Sequence, residues 1–356
     1  MSEKPLSIKR FEDIAVVRER GVQPASSLSI ERFEAIAPWQ ACQQDLLKRL
    51  GITKPSAVEQ DFFHCGLAVF GDAAEVLAVC VVYDNPALFF EGKPAGCFGN
   101  FDSLNHPEAA KRLLSAASET AADLGKPMLI GPMNASTWGE YRVAVNAFDY
   151  TYLLDVQHPH YYADLLRQAG LQPIGRYVTH LDTDLLYNQD RLMRARKLLS
   201  PLHLTFRNID LENYDLELDK IYAFCMASFA SNYLFTPIEK GNFKSKYLPL
   251  KAFLRPEYIV LCEDELRALR GLIFAVPNYS DAQQKGMVIK TIAKSPSPKF
   301  AGLATILGAM LYDKMKADGF QYALHAFMEE HNGSVNLSHY FSGNVVKRYE
   351  LFGVGI

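Results

Sequence analysis

The chain has 356 residues, room for two domains at roughly 150 residues each or for one large one. Lys and Arg total 37 against 40 Asp and Glu, a net charge of −3, which argues against a role resting on bulk basicity toward nucleic acid or anionic lipid. Hydrophobic residues make up 49% and charged residues 22%, ordinary globular proportions, and no stretch supplies the roughly 20 apolar residues of a membrane-spanning helix.

The opening stretch MSEKPLSIKRFED has no apolar run that could serve as a signal-peptide core, so a cytoplasmic protein is expected. The N-terminal segment that follows is too weakly patterned to assign. From there the elements become legible. Ala74–Tyr83, AEVLAVCVVY, reads as a buried strand and Gly96–Asp102, GCFGNFD, as a second. A helix follows over Pro107–Leu124, with Leu113, Leu114, Ala117, Ala121 and Leu124 at helical spacing; Gly125 stops it, and Pro127–Gly131 is strand-like. Asn134–Gln157, which carries NASTWGEYR, has the character of an insertion or long loop.

A charged helix-like run ends at Ser200-Pro201, and a boundary between residues 185 and 200 follows from it. The expected division is residues 1–190 and 191–356. The second half opens with a strand at Leu202–Asn208 and an amphipathic helix over Asp215–Ala230. Then the earlier order recurs: strands at Leu269–Pro277 and Gly286–Ala293, a helix from Gly302 to Gly319, and a strand at Gln321–Met328. Each half also reaches a Gly followed by Arg-Tyr, Gly170 before Arg176-Tyr177 and Gly343 before Arg348-Tyr349. One supersecondary plan used twice is expected. The six cysteines (Cys42, Cys65, Cys80, Cys97, Cys225, Cys262) show no CxxC and no zinc spacing with His, so no metal site is expected and the thiols read as reduced core residues.

The segment richest in chemistry is Thr291–Gly319, TIAKSPSPKFAGLATILGAMLYDKMKADG. A strand leaves through a Ser/Pro loop and returns as a helix, whose first-turn amides and positive dipole end suit a diphosphate. Gly302, with the small Ala301 and Ala304, allows close approach to the backbone, and Lys299 adds a positive charge. Neither a Walker loop nor a GxGxxG fingerprint is present. Lys299-Phe300-Ala301-Gly302-Leu303-Ala304 instead resembles the coenzyme A loop of the GNAT superfamily, Arg/Gln-x-x-Gly-x-Gly/Ala, with Lys in first place.

The resemblance continues through the strand at Gln321–Met328 into MEEHNGSVNLSHYFSGN, where Asn332 matches the family's helix-opening Asn and Gly343 the Gly after that helix. It covers residues 202–356 well and the first half in element order only, since FDSLNHPEAAKRLL lacks the phosphate-loop pattern. It implies an α/β (α+β) chain of two tandem GNAT-like domains of bacterial type, each a mixed, mostly antiparallel sheet flanked by helices. The first would be a degenerate, structural or acceptor-binding half; the second would hold acetyl-CoA or another acyl-CoA.

What the resemblance further implies is an acyl-CoA-dependent N-acyltransferase, in which an amine of a small molecule or peptide attacks the thioester directly. Strand amides of Thr291, Ile292 and Ala293 would hold the pantetheine and polarise the carbonyl. Lys299, Phe300, Ala301, Gly302, Leu303, Ala304, Thr305 and Asn332 complete the expected cofactor site. A donor to the leaving thiolate is sought in the order Tyr340, His339, Tyr349. No general base is assigned; Glu329, Glu330 and His331 follow the relevant strand, as a water-mediated base or as a solvated charge run. Trp138 and Tyr161 are candidates for an acceptor groove and equally for ordinary core. Alternative readings are a long-chain acyl or Fem-like aminoacyl transferase, or an acyl-CoA-binding module without catalysis.

Overall fold

The computed structural model describes residues 8–10, 28–155 and 157–356; apart from Ile8–Arg10, the opening stretch considered for export lies outside the described residues. In chain order the strands are β1 (Ile8–Arg10), β2 (Ser29–Phe33), β3 (Phe63–Phe70), β4 (Val76–Tyr83), β5 (Phe89–Phe90), β6 (Lys93–Pro94), β7 (Gly96–Ser103), β8 (Met128–Gly131), β9 (Val143–Ala144), β10 (Gln172–Asp182), β11 (Thr205–Asn208), β12 (Ile259–Glu263), β13 (Leu269–Pro277), β14 (Gly286–Lys294), β15 (Tyr322–Glu329) and β16 (Asn344–Gly355). The helices are α1 (Ile36–Leu50), α2 (Pro107–Asp123), α3 (Tyr162–Gln168), α4 (Gln189–Leu199), α5 (Tyr214–Phe229), α6 (Lys240–Tyr247), α7 (Leu303–Ala317) and α8 (Gly333–His339).

These elements form two units that do not follow a single cut in the sequence. Unit 1 draws on Met1–Val145, Val156–Gly175 and Tyr349–Ile356; unit 2 draws on Asn146–Asp155 and Arg176–Arg348. Strands β10 and β16 therefore each change unit along their length, and both do so at the repeated Arg-Tyr pair, Arg176-Tyr177 in one and Arg348-Tyr349 in the other.

In unit 1 the sheet runs β1-β2-β3-β4-β7-β8-β16. Pairing is antiparallel except at β1–β2 and β7–β8. Strand β4 is buried at every position, which is why its sequence is an unbroken apolar run rather than an alternation. Helix α2 lays Leu113, Leu114, Ala117 and Ala121 on this sheet. The last strand is supplied by β16, whose Phe352–Gly355 pair with Gly131–Met128 of β8.

In unit 2 the order is β10-β15-β14-β13-β12-β11, parallel only at β14–β15. Helix α7 covers it, with Leu303, Leu307, Leu311, Tyr312 and Met315 in a core shared with Ile273 and Met287. Both units are thus mixed, mostly antiparallel sheets flanked by helices, as the resemblance implied.

Part of the expected insertion, Asn146–Asp155, belongs to unit 2. Lys347 and Asp155, both buried, are 2.7 Å apart, and Lys347 Nζ also donates to the Tyr150 carbonyl at 2.9 Å. The Leu153 amide donates to Asn278 Oδ1 at 2.9 Å, and the hydroxyls of Tyr152 and Thr179 are 2.7 Å apart. Five of the cysteines are buried and Cys42 is half-buried, all as free thiols. Among the described residues no helix is long and apolar enough to cross a membrane.

Candidate active site

Strands β14 and β15 part company midway. Their ladder runs from Gly286–Tyr322 to Ile289–His325 and stops, although β14 continues to Lys294 and β15 to Glu329. The β13–β14 register passes from Ala275–Ile289 to Phe274–Thr291, so Lys290 is an extra residue, a bulge that turns β14 at the point of separation. Strand β15 bulges just beyond, where its register with β10 shifts between Val178–Met328 and His180–His325. Phe327 there takes φ 58°, an uncommon conformation for a bulky residue. Thr291, Ile292 and Ala293 keep their β13 partners but lie past the last β15 partner. They form the kind of open strand edge that a ligand can pair with.

From this edge the chain enters a short turn, Pro298–Phe300, and then α7. Phe300 turns its ring into the core. The amides of Phe300 and Ala301 are used within the turn, donating to the carbonyls of Ser297 and Pro298 at 3.1 and 3.0 Å. That leaves Gly302, Leu303, Ala304 and Thr305 to supply the first-turn amides that a helix cannot satisfy internally, and no side chain caps them. Gly302 has φ 88°, where any side chain is strained. A Cβ on it would also stand 2.8 Å from the Ala195 Cβ of α4. The glycine is thus fixed by backbone conformation and by α4 as well as by any diphosphate. Lys299 is exposed, with its Nζ 5.0 Å from the Phe300 ring centre.

Helix α4 brings a residue that the sequence did not single out. The Arg191 guanidinium lies 3.4 Å over the Tyr340 ring, and its Nε is 3.5 Å from Thr305 Oγ1. One cation thus touches both the first turn of α7 and the end of α8. Asn332 caps α8, its Oδ1 accepting from the Ser334 amide at 3.1 Å. This is a structural duty for a residue expected at the cofactor.

The corresponding places in unit 1 are occupied by the chain itself. Strands β7 and β8 pair only at Gly96–Leu129 and Cys97–Ile130. Past that point the Met133 amide donates to the Phe98 carbonyl at 2.7 Å and Asn134 Oδ1 accepts from the Asn100 amide at 2.8 Å. The Asn134 side chain is held in turn by Ser56 Oγ at 2.6 Å. At the start of α2, His106 Nδ1 accepts from the Ala109 amide at 3.1 Å. An opened strand edge and an uncapped helix start therefore occur together in unit 2, whereas in unit 1 both are filled.

At the end of α8, His339 and the following Tyr340 are exposed and Ser338 is buried. Ser338 sits in a chain of polar groups. His180 Nδ1 is 2.8 Å from Ser338 Oγ, and Ser338 Oγ is hydrogen-bonded to His325 Nδ1. His325 Nε2 is 2.7 Å from the Tyr312 hydroxyl, which donates to Asp182 Oδ2 at 2.6 Å. Burial, and then the neighbouring His339 and Arg348, push the His180 imidazole down to about 4. Burial and His180 push His325 down to about 3, so both rings are neutral at physiological pH. Burial raises Asp182, opposed by the Tyr312 hydroxyl and the amides of Leu185 and Asp184. Gly343 lies against the chain; a Cβ there would fall on Ser338 Oγ and stand 3.1 Å from His325 Nδ1.

The remaining candidates lie elsewhere. Tyr349 is buried in β16 and pairs with Ala144 in unit 1. Tyr161 packs on the unit 1 core with its hydroxyl donating to the Ser103 carbonyl at 3.0 Å. Trp138 is half-buried in a loop of the same unit. Glu330 is 2.6 Å from Arg348, and Glu329 accepts from the His331 amide at 2.9 Å. Sequence reading missed His180, His325, Tyr312 and Asp182, although a histidine inside the apolar strand Tyr322–Glu329 was the available signal.

No family model matches the chain, and no curated protein matches it by sequence. Solved structures do resemble it. A fungal multi-domain beta-N-acetylglucosaminidase with a GCN5-related glucosamine N-acetyltransferase region is 10% identical, with a TM-score of 0.56 over 94% of this chain. The chain spans 39% of that protein's length. A GCN5-related N-acetyltransferase from Anabaena variabilis is 9% identical, with a TM-score of 0.53 covering 91% of this chain and 72% of the other. A tandem GNAT protein from the clavulanic acid biosynthesis pathway is 10% identical, with a TM-score of 0.51 covering 92% and 98%. Together with the repeated sheet and the parted strands of unit 2, these likenesses show that the chain has the GCN5-related N-acetyltransferase fold, present twice in tandem.

Proposed function

We propose that the chain is an acyl-CoA-dependent N-acyltransferase whose unit 2 holds the acyl donor, with acetyl-CoA as the first donor to test and a small-molecule or peptide amine as acceptor. The observation that carries this reading is the separation of β14 from β15 after Ile289 and His325, leading directly into the uncapped start of α7. The residues present suit the ligand: amides of Gly302 to Thr305 and the charge of Lys299 for a diphosphate, and the open edge of Thr291, Ile292 and Ala293 for an amide-bearing arm. A bound acyl-CoA supplies a thioester carbonyl. Strand amides aimed at its oxygen stabilise the charge that develops there, and in a preorganised site they do so without reorganisation. Tyr340 and His339 stand at the end of α8 as the candidates for protonating the leaving sulfur. The sealed counterparts in unit 1, Asn134 at the strand edge and His106 at the helix start, support one donor site per chain.

The test is calorimetric titration with acetyl-CoA, followed by thiol release over a panel of primary amines. Ala301 is exposed with φ −58°, so Ala301→Glu brings a carboxylate to the start of α7 without the strain that a change at Gly302 carries. One site per chain and at least a tenfold loss of affinity in Ala301→Glu are expected. Unchanged affinity in that variant overturns the site, and binding without thiol release favours a binding module over an enzyme.

A further inference from the structure

The buried polar chain of unit 2 has a direction. Asp182 Oδ1 accepts the amides of Asp184 and Leu185, both at 3.0 Å, which favours the carboxylate. With Asp182 ionised, the one Tyr312 proton goes to Asp182 Oδ2, so His325 must donate from Nε2 to the Tyr312 oxygen. His325 Nδ1 is then a lone pair that takes the Ser338 proton, and Ser338 Oγ accepts from His180 Nδ1–H. Every polar atom from His180 Nδ1 to Asp182 is satisfied in one orientation only. The exception is His180 Nε2, which this assignment leaves as a bare lone pair, and which is buried with no hydrogen-bond partner. The exposed ring of His339 lies 5.0 Å from the His180 ring, centre to centre. His325 is also the last β15 residue laddered to β14, so the chain passes through the point where the proposed acyl site opens.

Resting on the acyl-transfer reading, we propose that His180, Ser338, His325, Tyr312 and Asp182 form a proton relay that accepts, at His180 Nε2 by way of His339, the proton shed by the acceptor amine. As the amine nitrogen bonds to the acyl carbon and the carbon–sulfur bond breaks, one proton leaves nitrogen and one must reach sulfur. A proton arriving at His180 Nε2 releases Nδ1–H to Ser338, the Ser338 proton to His325 Nδ1, His325 Nε2–H to Tyr312, and the Tyr312 proton to Asp182. Both histidines exchange tautomers, neither becomes charged, and Asp182 becomes a carboxylic acid. The reverse sequence delivers the proton to the thiolate and restores the starting state. Around His180 the relay is faced by His325 on β15, His339 on α8 and Arg348 on β16; the last two, with burial, oppose a lasting positive charge on the ring.

The experiment uses the full chain, with nitrogen-15 histidine spectra and steady-state kinetics with acetyl-CoA and the best amine of the panel. Expected are a His180 Nδ1–H tautomer and a His325 Nε2–H tautomer at pH 7. In Ser338→Ala, kcat should fall about 100-fold, the scale of positioned acid–base catalysis, with acetyl-CoA affinity within twofold of wild type. His339→Gln, a change at an exposed residue, should lower kcat in the same direction with the denaturation midpoint of the wild type. Wild-type turnover in Ser338→Ala, an imidazolium at either buried ring, or a His180 Nε2–H tautomer overturns the relay while leaving acyl transfer standing. A wild-type chain that neither binds acetyl-CoA nor releases thiol overturns the acyl-transfer reading and the relay with it.

Discussion

Lys347 Nζ sits 2.7 Å from an Asp155 carboxylate oxygen with both side chains buried, tying the Asn146–Asp155 segment to β16 within unit 2. Breaking a buried ion pair by removing one member costs about 3–5 kcal/mol. Lys347→Met should therefore unfold at markedly lower urea than the wild type, and Lys347→Met with Asp155→Leu should recover most of the loss. Equilibrium denaturation of the two singles and the double checks this.

Gly302 is constrained by φ 88° and by Ala195. Gly302→Ala should cost on the order of 1–3 kcal/mol through the backbone strain of a left-handed residue plus the contact. Adding Ala195→Gly should return only the steric part. Thermal unfolding of the three variants separates the contributions, and full recovery in the double would show that backbone conformation plays no part.

Asn134 satisfies the Asn100 amide in unit 1. Asn134→Ala leaves that buried donor unpaired, for a loss of about 1–3 kcal/mol. Acetyl-CoA affinity should not change, because the proposed donor site lies in unit 2. Paired denaturation and calorimetry give both readouts, and a second binding event in the variant would count against a single donor site.

The neutral histidines give stability a pH dependence of defined sign. An unfolded histidine titrates near 6.5, whereas His180 and His325 are held down to about 4 and about 3. Between those values the unfolded chain binds more protons, so their contribution is complete above about pH 6.5 and drains as pH falls toward 4 for His180 and toward 3 for His325. Asp182, raised by burial, and Asp102, raised by burial to about 6, act in the opposite sense over part of this window. At pH 5 the ring spectra of His180 and His325 should still be those of neutral imidazoles, and imidazolium shifts there would refute the assignment.

Much of this was legible in the residues. Leu269–Pro277 is a strand with the bounds that its apolar run predicted, and Pro107–Asp123 and Leu303–Ala317 are helices stopped near Gly125 and Gly319, because spacing and terminating glycines report burial directly. The helix α1 and strand β3 were not read, since Ile36–Leu50 spreads its buried Trp39, Gln43, Leu46 and Leu47 among charged and polar neighbours. The site was half legible. Lys299 to Thr305 carries a local pattern, whereas His180, His325, Tyr312 and Asp182 come from three elements and meet only through the fold. The repeated Gly to Arg-Tyr ending pairs Tyr349 with Tyr177, and both lie in strands, Tyr349 where β16 passes into unit 1.

That passage also sets an order for biosynthesis. The edge of β8 is covered by Phe352–Gly355, so a nascent chain that has already made every other strand of its first sheet still waits on the ribosome for the piece that closes it. A fragment stopped at residue 190 would carry that open rim permanently, offering neighbouring molecules a template for aggregation.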